Sequence, residues 1–211
     1  MQRGFFITLE GGEGGGKSTQ IPVIKDFLEG RGFKVECTRE PGGTAVAEQI
    51  RSILLNPDHE EKICSTTELL LMYASRAQLV NSKIKPLLEQ GTVVISDRFD
   101  LSTIAYQGYG RGMDLDLIGR IREVAIGDFN PDLILLFDID VKEGMMRAGK
   151  RSAADRFEQE SLDFFERVRK GFTSYASAHE DLVKVIDGAQ NIDGVSSQVK
   201  KVLSDFIDRR G

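Results

Sequence analysis

Residues Gly11 to Ser18 read Gly-Gly-Glu-Gly-Gly-Gly-Lys-Ser, which fits the spacing G-x-x-x-x-G-K-[ST]. The apolar run Phe5-Phe6-Ile7-Thr8-Leu9 precedes this stretch, and Thr19 to Gly30 follows with helical spacing. The stretch therefore reads as a loop between a strand and a helix. Glycines let successive backbone N–H groups turn inward around an anion, and the following helix adds the positive end of its dipole. Gly11, Gly12, Gly14, Gly15 and Gly16 form such a cradle with Ser18 and Thr19 at the helix start. Lys17 is placed to reach the β- and γ-phosphates of a nucleotide, and the Ser18 hydroxyl to bind Mg²⁺.

Near-continuous apolar runs recur down the chain at Lys34–Arg39, Thr92–Asp97, Asp132–Asp138 and Leu182–Asp187. With Phe5–Glu10 they make five strands of the kind buried on both faces. Segments of helical length separate them: Lys17–Gly30, Thr44–Leu55, Ser65–Gln90, Asp114–Gly127, Ser161–Ala178 and Val195–Asp208. Such alternation predicts an α/β fold, a doubly wound parallel five-stranded sheet flanked by helices. Ligands of these sheets sit beyond the strands' carboxyl ends. Glu10, Arg39, Glu40, Asp97, Arg98 and Asp138 all fall there. The length of 211 residues fits one domain, 1–211. Gly144–Arg156 differs from its surroundings, with Arg147, Lys150, Arg151 and Arg156 against Asp155 alone. A basic segment rich in small residues between two helices suits a mobile lid over phosphates, at about residues 144–157.

Bulk composition removes several classes. A net charge of −5 argues against a nucleic-acid backbone as the main partner. No apolar run approaches membrane-spanning length, and the first residues lead into a strand rather than a signal-type segment. Cys37 and Cys64 read as free thiols of a reducing compartment, so a cytoplasmic location is expected. His59 and His179 have no neighbours at zinc-ligand spacing.

A phosphate loop alone says nucleotide and leaves the reaction open. Asp97, at the end of the third strand, is placed as a carboxylate that could hold Mg²⁺. Arg39, Arg76, Arg98 and Arg111 recur at the expected ligand edge, and a monophosphate offers oxygens that arginine grips with two parallel bonds. A lid arginine on the transferring phosphoryl group would be worth about 10³–10⁵ in rate. These features point to phosphoryl transfer between small molecules.

The motifs, taken in order, resemble the bacterial thymidylate kinases. They are Gly11–Thr19, the string Thr38-Arg39-Glu40-Pro41-Gly42-Gly43-Thr44, Arg76, Asp97-Arg98-Phe99, Ala105-Tyr106-Gln107-Gly108, Gly110-Arg111-Gly112, and the basic lid closing with Asp155-Arg156. The resemblance implies transfer of a phosphoryl group from Mg-ATP to dTMP, giving dTDP for dTTP synthesis, in a homodimer. It implies that Glu13 binds the 3′-hydroxyl and that Arg39 and Arg98 hold the acceptor phosphate. It places Arg76 on thymine O4, Ser102 and Gln107 near the base, and Tyr106 against the 2′ position. Pro41 matches a proline that often follows a cis peptide bond. Arg147 is similar to an arginine beside the donor adenine, and Arg151 to the catalytic arginine of lid-arginine members. Where such kinases often carry a phenylalanine that stacks on the base, this chain has Met72, with Tyr73 or Phe99 as the rings nearby.

Overall fold

The computed structural model describes residues 3–149 and 155–210. Five parallel strands, β1 (Phe6–Glu10), β2 (Val35–Arg39), β3 (Val93–Asp97), β4 (Leu133–Asp138) and β5 (Val183–Asp187), form one sheet in the order β2-β3-β1-β4-β5. The doubly wound reading holds, and each strand lies within one residue of its expected bounds. Side chains alternate across the sheet as a pleated strand requires. On one face Ile7 and Leu9 pack with Ile24 and Leu28 of α1 (Lys17–Glu29) and Val199 and Leu203 of α9 (Ile192–Asp208). On the other, Phe6 and Val94 meet Leu79, Ile84 and Leu88, while Ile134 and Leu136 meet Val168 and Phe172 of α8 (Leu162–Ala178). Each such side chain contributes about 1.5–3 kcal/mol when fully buried, so the sheet is a rigid base for its loops.

The register decides where those loops start. Arg39 pairs with Asp97 across β2 and β3, and Leu9 pairs with the same residue across β1 and β3. The carboxyl ends of three strands therefore lie level, with β1 at the point where the strand order reverses, the usual ligand crevice of an open α/β sheet.

The remaining helices are α2 (Ala45–Leu55), α3 (Ser65–Leu79), α4 (Lys85–Glu89), α5 (Asp100–Thr103), α6 (Leu115–Ile126) and α7 (Val141–Ala148). The expected helix Ser65–Gln90 is α3 and α4 joined by a π-helical segment, Val80–Ile84. Pro86, just beyond it, has no N–H to continue the regular ladder. Two elements were not foreseen. α5 runs into a second π-helical segment, Ile104–Gly110, and α7 overlaps the start of the stretch read as lid. Lys150 and Arg151 lie outside the described residues.

Candidate active site

The glycine loop leaves β1 and returns into α1. Its glycines are required by close approach: a Cβ on Gly11, at φ 130°, would overlap the Phe137 carbonyl, and one on Gly14, at φ 72°, the Gly144 carbonyl. Thr44, Asp114, Ser161 and Asn191 cap α2, α6, α8 and α9 through their side chains, whereas Gly16 begins α1 with no side-chain cap. The first turn of α1 thus presents backbone N–H groups to an outside acceptor. Lys17 Nζ donates to the carbonyls of Gly11 at 3.0 Å and Gly12 at 2.6 Å. Burial, aided by the nearby Arg98 cation, pushes its pKa down to about 8. Ser18 Oγ lies 3.5 Å from Asp97 Oδ2, so the two residues expected at Mg²⁺ are brought together. Both offer hard oxygens, which fits an ion held by one or two protein atoms plus phosphates and water.

Arg98 stands opposite the loop. Its φ of 69° is left-handed, uncommon for a residue with a side chain. Its N–H donates to Leu9 O at 2.9 Å. The guanidinium donates to Gly11 O at 2.9 Å, to Ser102 Oγ at 3.3 Å and to Glu13 Oε1, and it lies over the Tyr106 ring. Burial alone would raise the Glu13 pKa, but the Arg98 and Lys17 cations outweigh it and hold the carboxyl below its ordinary value. Tyr106 OH reaches Glu13 Oε1 at 3.4 Å. Beneath them Glu10 accepts from Phe99 N at 2.8 Å and Ser102 Oγ at 2.6 Å. Burial pushes its carboxyl up to about 7, against those hydrogen bonds and the field of Arg98.

A third group lies at the far end of the crevice. Arg76 is fully enclosed, donating Nε to Glu40 Oε2 at 2.7 Å, one terminal nitrogen to Asp100 Oδ1 at 3.1 Å and the other to Phe99 O at 3.1 Å. Two carboxylates and a carbonyl therefore fix its plane. Burial lifts the Glu40 carboxyl to about 7, although Arg76 works in the opposite direction. The Glu40–Pro41 bond is cis. Arg39 projects from β2 and pairs with Glu48 at 3.0 Å, with more than half of its side chain exposed.

One crevice of about 260 Å³ joins these groups. Glu13, Lys17, Ser18, Arg39, Pro41, Met72, Arg76, Asp97, Arg98, Ser102, Tyr106 and Gln107 all line it. Tyr73 is not among them, which corrects the expectation of a ring able to enter the base slot. Met72 and Arg76 share one face of α3 by their i, i+4 spacing. One position on, Tyr73 packs with Leu69 and Ile118 and donates its hydroxyl to Asp100 Oδ1 at 2.9 Å. Phe99 is part of the crevice lining, with its ring buried edge-on against Phe6 and Phe129. Arg147 lies apart, donating to Gly188 O at 2.7 Å and Ala189 O at 3.2 Å. Arg51, which lines the same crevice and donates to Pro41 O at 2.8 Å, was missed from sequence. A basic residue on the first helix after the Arg-Glu-Pro-Gly-Gly-Thr string was the available signal.

A parallel sheet with a phosphate loop, an adjacent Ser–Asp pair and an arginine-rich crevice facing the loop defines a nucleotide phosphotransferase of the phosphate-loop class. The profile of the thymidylate kinase family matches residues 9–199. Thymidylate kinases of Hahella chejuensis and Pseudomonas fluorescens are each 45% identical to this chain, over 97% and 98% of it and 98% of each relative. The crystal structure of thymidylate kinase from Ehrlichia chaffeensis is similar at TM-score 0.77 and 35% identity, covering 96% of this chain and 99% of that one. The chain belongs to the thymidylate kinase family. It is a phosphotransferase that converts dTMP to dTDP with ATP.

Proposed function

We propose that the glycine loop and Lys17 hold the triphosphate of ATP while Arg98, Arg39 and Glu13 hold dTMP facing it. What carries this reading is that both sets of groups line one crevice, together with Asp97. The acceptor phosphate is already an anion and needs no general base. An acceptor oxygen bonds to the γ-phosphorus as the bond to the β–γ bridging oxygen breaks, and ADP leaves. Positioning and charge neutralisation then dominate the barrier. Ser18 and Asp97 would hold Mg²⁺, which would supply charge neutralisation to the β- and γ-phosphates. Arg76 donates to thymine O4, Met72 and Phe99 cover the ring, and Ser102 and Gln107 lie along its edge. Tyr106 crowds the 2′ position, and Arg147 flanks the donor adenine beside Gly188 and Ala189.

Arg151 is assigned to the transferring phosphoryl group, in a lid at about residues 144–157, because positions 14 and 15 of the glycine loop carry no basic side chain. Arg151→Ala should lower kcat far more than it raises either KM, and near-normal turnover in that variant would remove the assignment. A homodimer rests on the resemblance to the bacterial thymidylate kinases. A cytoplasmic location rests on the free thiols of Cys37 and Cys64. The reading is tested by ADP release from Mg-ATP with and without dTMP. Release should depend on dTMP, and equal release without it would point to a nucleotide hydrolase.

A further inference from the structure

Gln107 lines the crevice beside Arg76, yet its side-chain amide is not free to turn. Its Nε2 donates to Glu68 Oε1 at 2.8 Å. Glu68 comes from α3 and is fully buried. The same carboxylate accepts from Arg111 Nε at 3.3 Å and from an Arg111 terminal nitrogen at 3.2 Å, and forms an ion pair with Arg156 at 2.7 Å. A carboxylate so surrounded by donors can only accept. An amide flip would set Gln107 Oε1 against Glu68 Oε1, two acceptors face to face in a buried place. The orientation of Gln107 is thus dictated from behind, and Oε1 is the atom left to the crevice.

We propose that Glu68 determines base specificity by locking Gln107 as a hydrogen-bond acceptor toward the ligand, so that the site selects a pyrimidine bearing an N3–H donor and rejects one whose N3 is an acceptor. The inference rests on the reading that the base lies against Gln107. Thymine and uracil carry the N3–H, and cytosine does not. Glu68 is a positioning residue that touches no substrate and acts through the amide it holds. Arg111 also bonds Glu160 and Arg156 also donates to Leu54 O at 2.7 Å, so the carboxylate is itself held from several elements.

The test compares dTMP with 5-methyl-dCMP, which keeps the methyl group and sugar and reverses the hydrogen-bonding pattern at N3 and position 4. In Glu68→Gln the partner can donate as well as accept, and Gln107 becomes free to flip. The ratio of kcat/KM for dTMP over 5-methyl-dCMP should fall about tenfold, the factor one ordinary hydrogen bond carries. Glu68→Asp, which still only accepts, should keep most of the ratio. If Glu68→Gln does not fold, combining it with Arg156→Gln removes the unbalanced charge and carries the same comparison. Adding Gln107→Met should make the ratio insensitive to residue 68. A damaged scaffold would slow both substrates alike and leave the ratio intact, and that result overturns the proposal. Failure of the wild type to prefer dTMP over 5-methyl-dCMP would instead remove the reading beneath it.

Discussion

Removal of the Arg98 side chain tests how the acceptor phosphate is gripped. The guanidinium is pre-aimed by Gly11 O, Ser102 Oγ and Glu13, so little rotamer freedom remains to be lost when a phosphate binds. Two charge-assisted hydrogen bonds at about 1.5–3 kcal/mol each amount to about 3–6 kcal/mol. At about 1.4 kcal/mol per decade this is a loss of about 10²–10⁴ in kcat/KM for dTMP. The KM for Mg-ATP should change much less. Arg98→Lys should recover only part, because an ammonium cannot form the two parallel bonds. The backbone supplies an internal control. At φ 69°, alanine is strained by about 1–2 kcal/mol and glycine is not. Arg98→Gly should therefore unfold at higher urea than Arg98→Ala while both lose the same activity. Steady-state kinetics with a coupled ADP assay, together with urea titration of the two variants, decides the matter. A value for Arg98→Ala within about fivefold of wild type refutes the reasoning, since a single bond of this kind exceeds that.

Lys17 is a cation below about pH 8 in the free enzyme and loses that charge above it. kcat/KM for Mg-ATP should therefore hold between about pH 7 and 8 and fall toward tenfold per unit beyond, and a profile flat to about pH 9.5 contradicts this. The Glu10 carboxyl titrates near 7 in the fold and at 4.5 in the ordinary case, so the folded state holds the extra proton between them. Wild-type stability should decline relative to Glu10→Gln as pH rises through that window. Urea midpoints at about pH 5 and 8 check it, and a constant gap would be the wrong result. Arg76→Met leaves the buried carboxylates of Glu40 and Asp100 without their shared cation, and should cost about 3–5 kcal/mol of stability by denaturant unfolding. A cost below about 1 kcal/mol would show that the network does not hold the site.

The glycine loop, the five strands and the polar residues at their ends were legible because each is a short-range pattern. Asp100–Gly110 was not. Ser-Thr-Ile-Ala-Tyr-Gln-Gly-Tyr-Gly has too little periodicity and too many glycines to announce a helix, and its π-helical turn owes its stability to packing under α8. Tyr73 was misplaced for a related reason. Sequence spacing shows which residues share a helix face, but which face meets the crevice depends on α6 and Asp100, distant in the chain. Glu40 was visible at a strand end within its motif, but its pairing with the arginine it holds was not. Glu68 is an acidic residue in an ordinary helix until folding brings an arginine from elsewhere against it. Arg76 could be identified, and what holds it could not.

The central claim is most directly tested by a crystal structure with dTMP bound. The 5′-phosphate should lie within hydrogen-bond distance of Arg98 and Arg39, with thymine between Arg76 and Gln107 and the 3′-hydroxyl on Glu13. A monophosphate bound outside the crevice, or within it but clear of Arg98, would contradict the account.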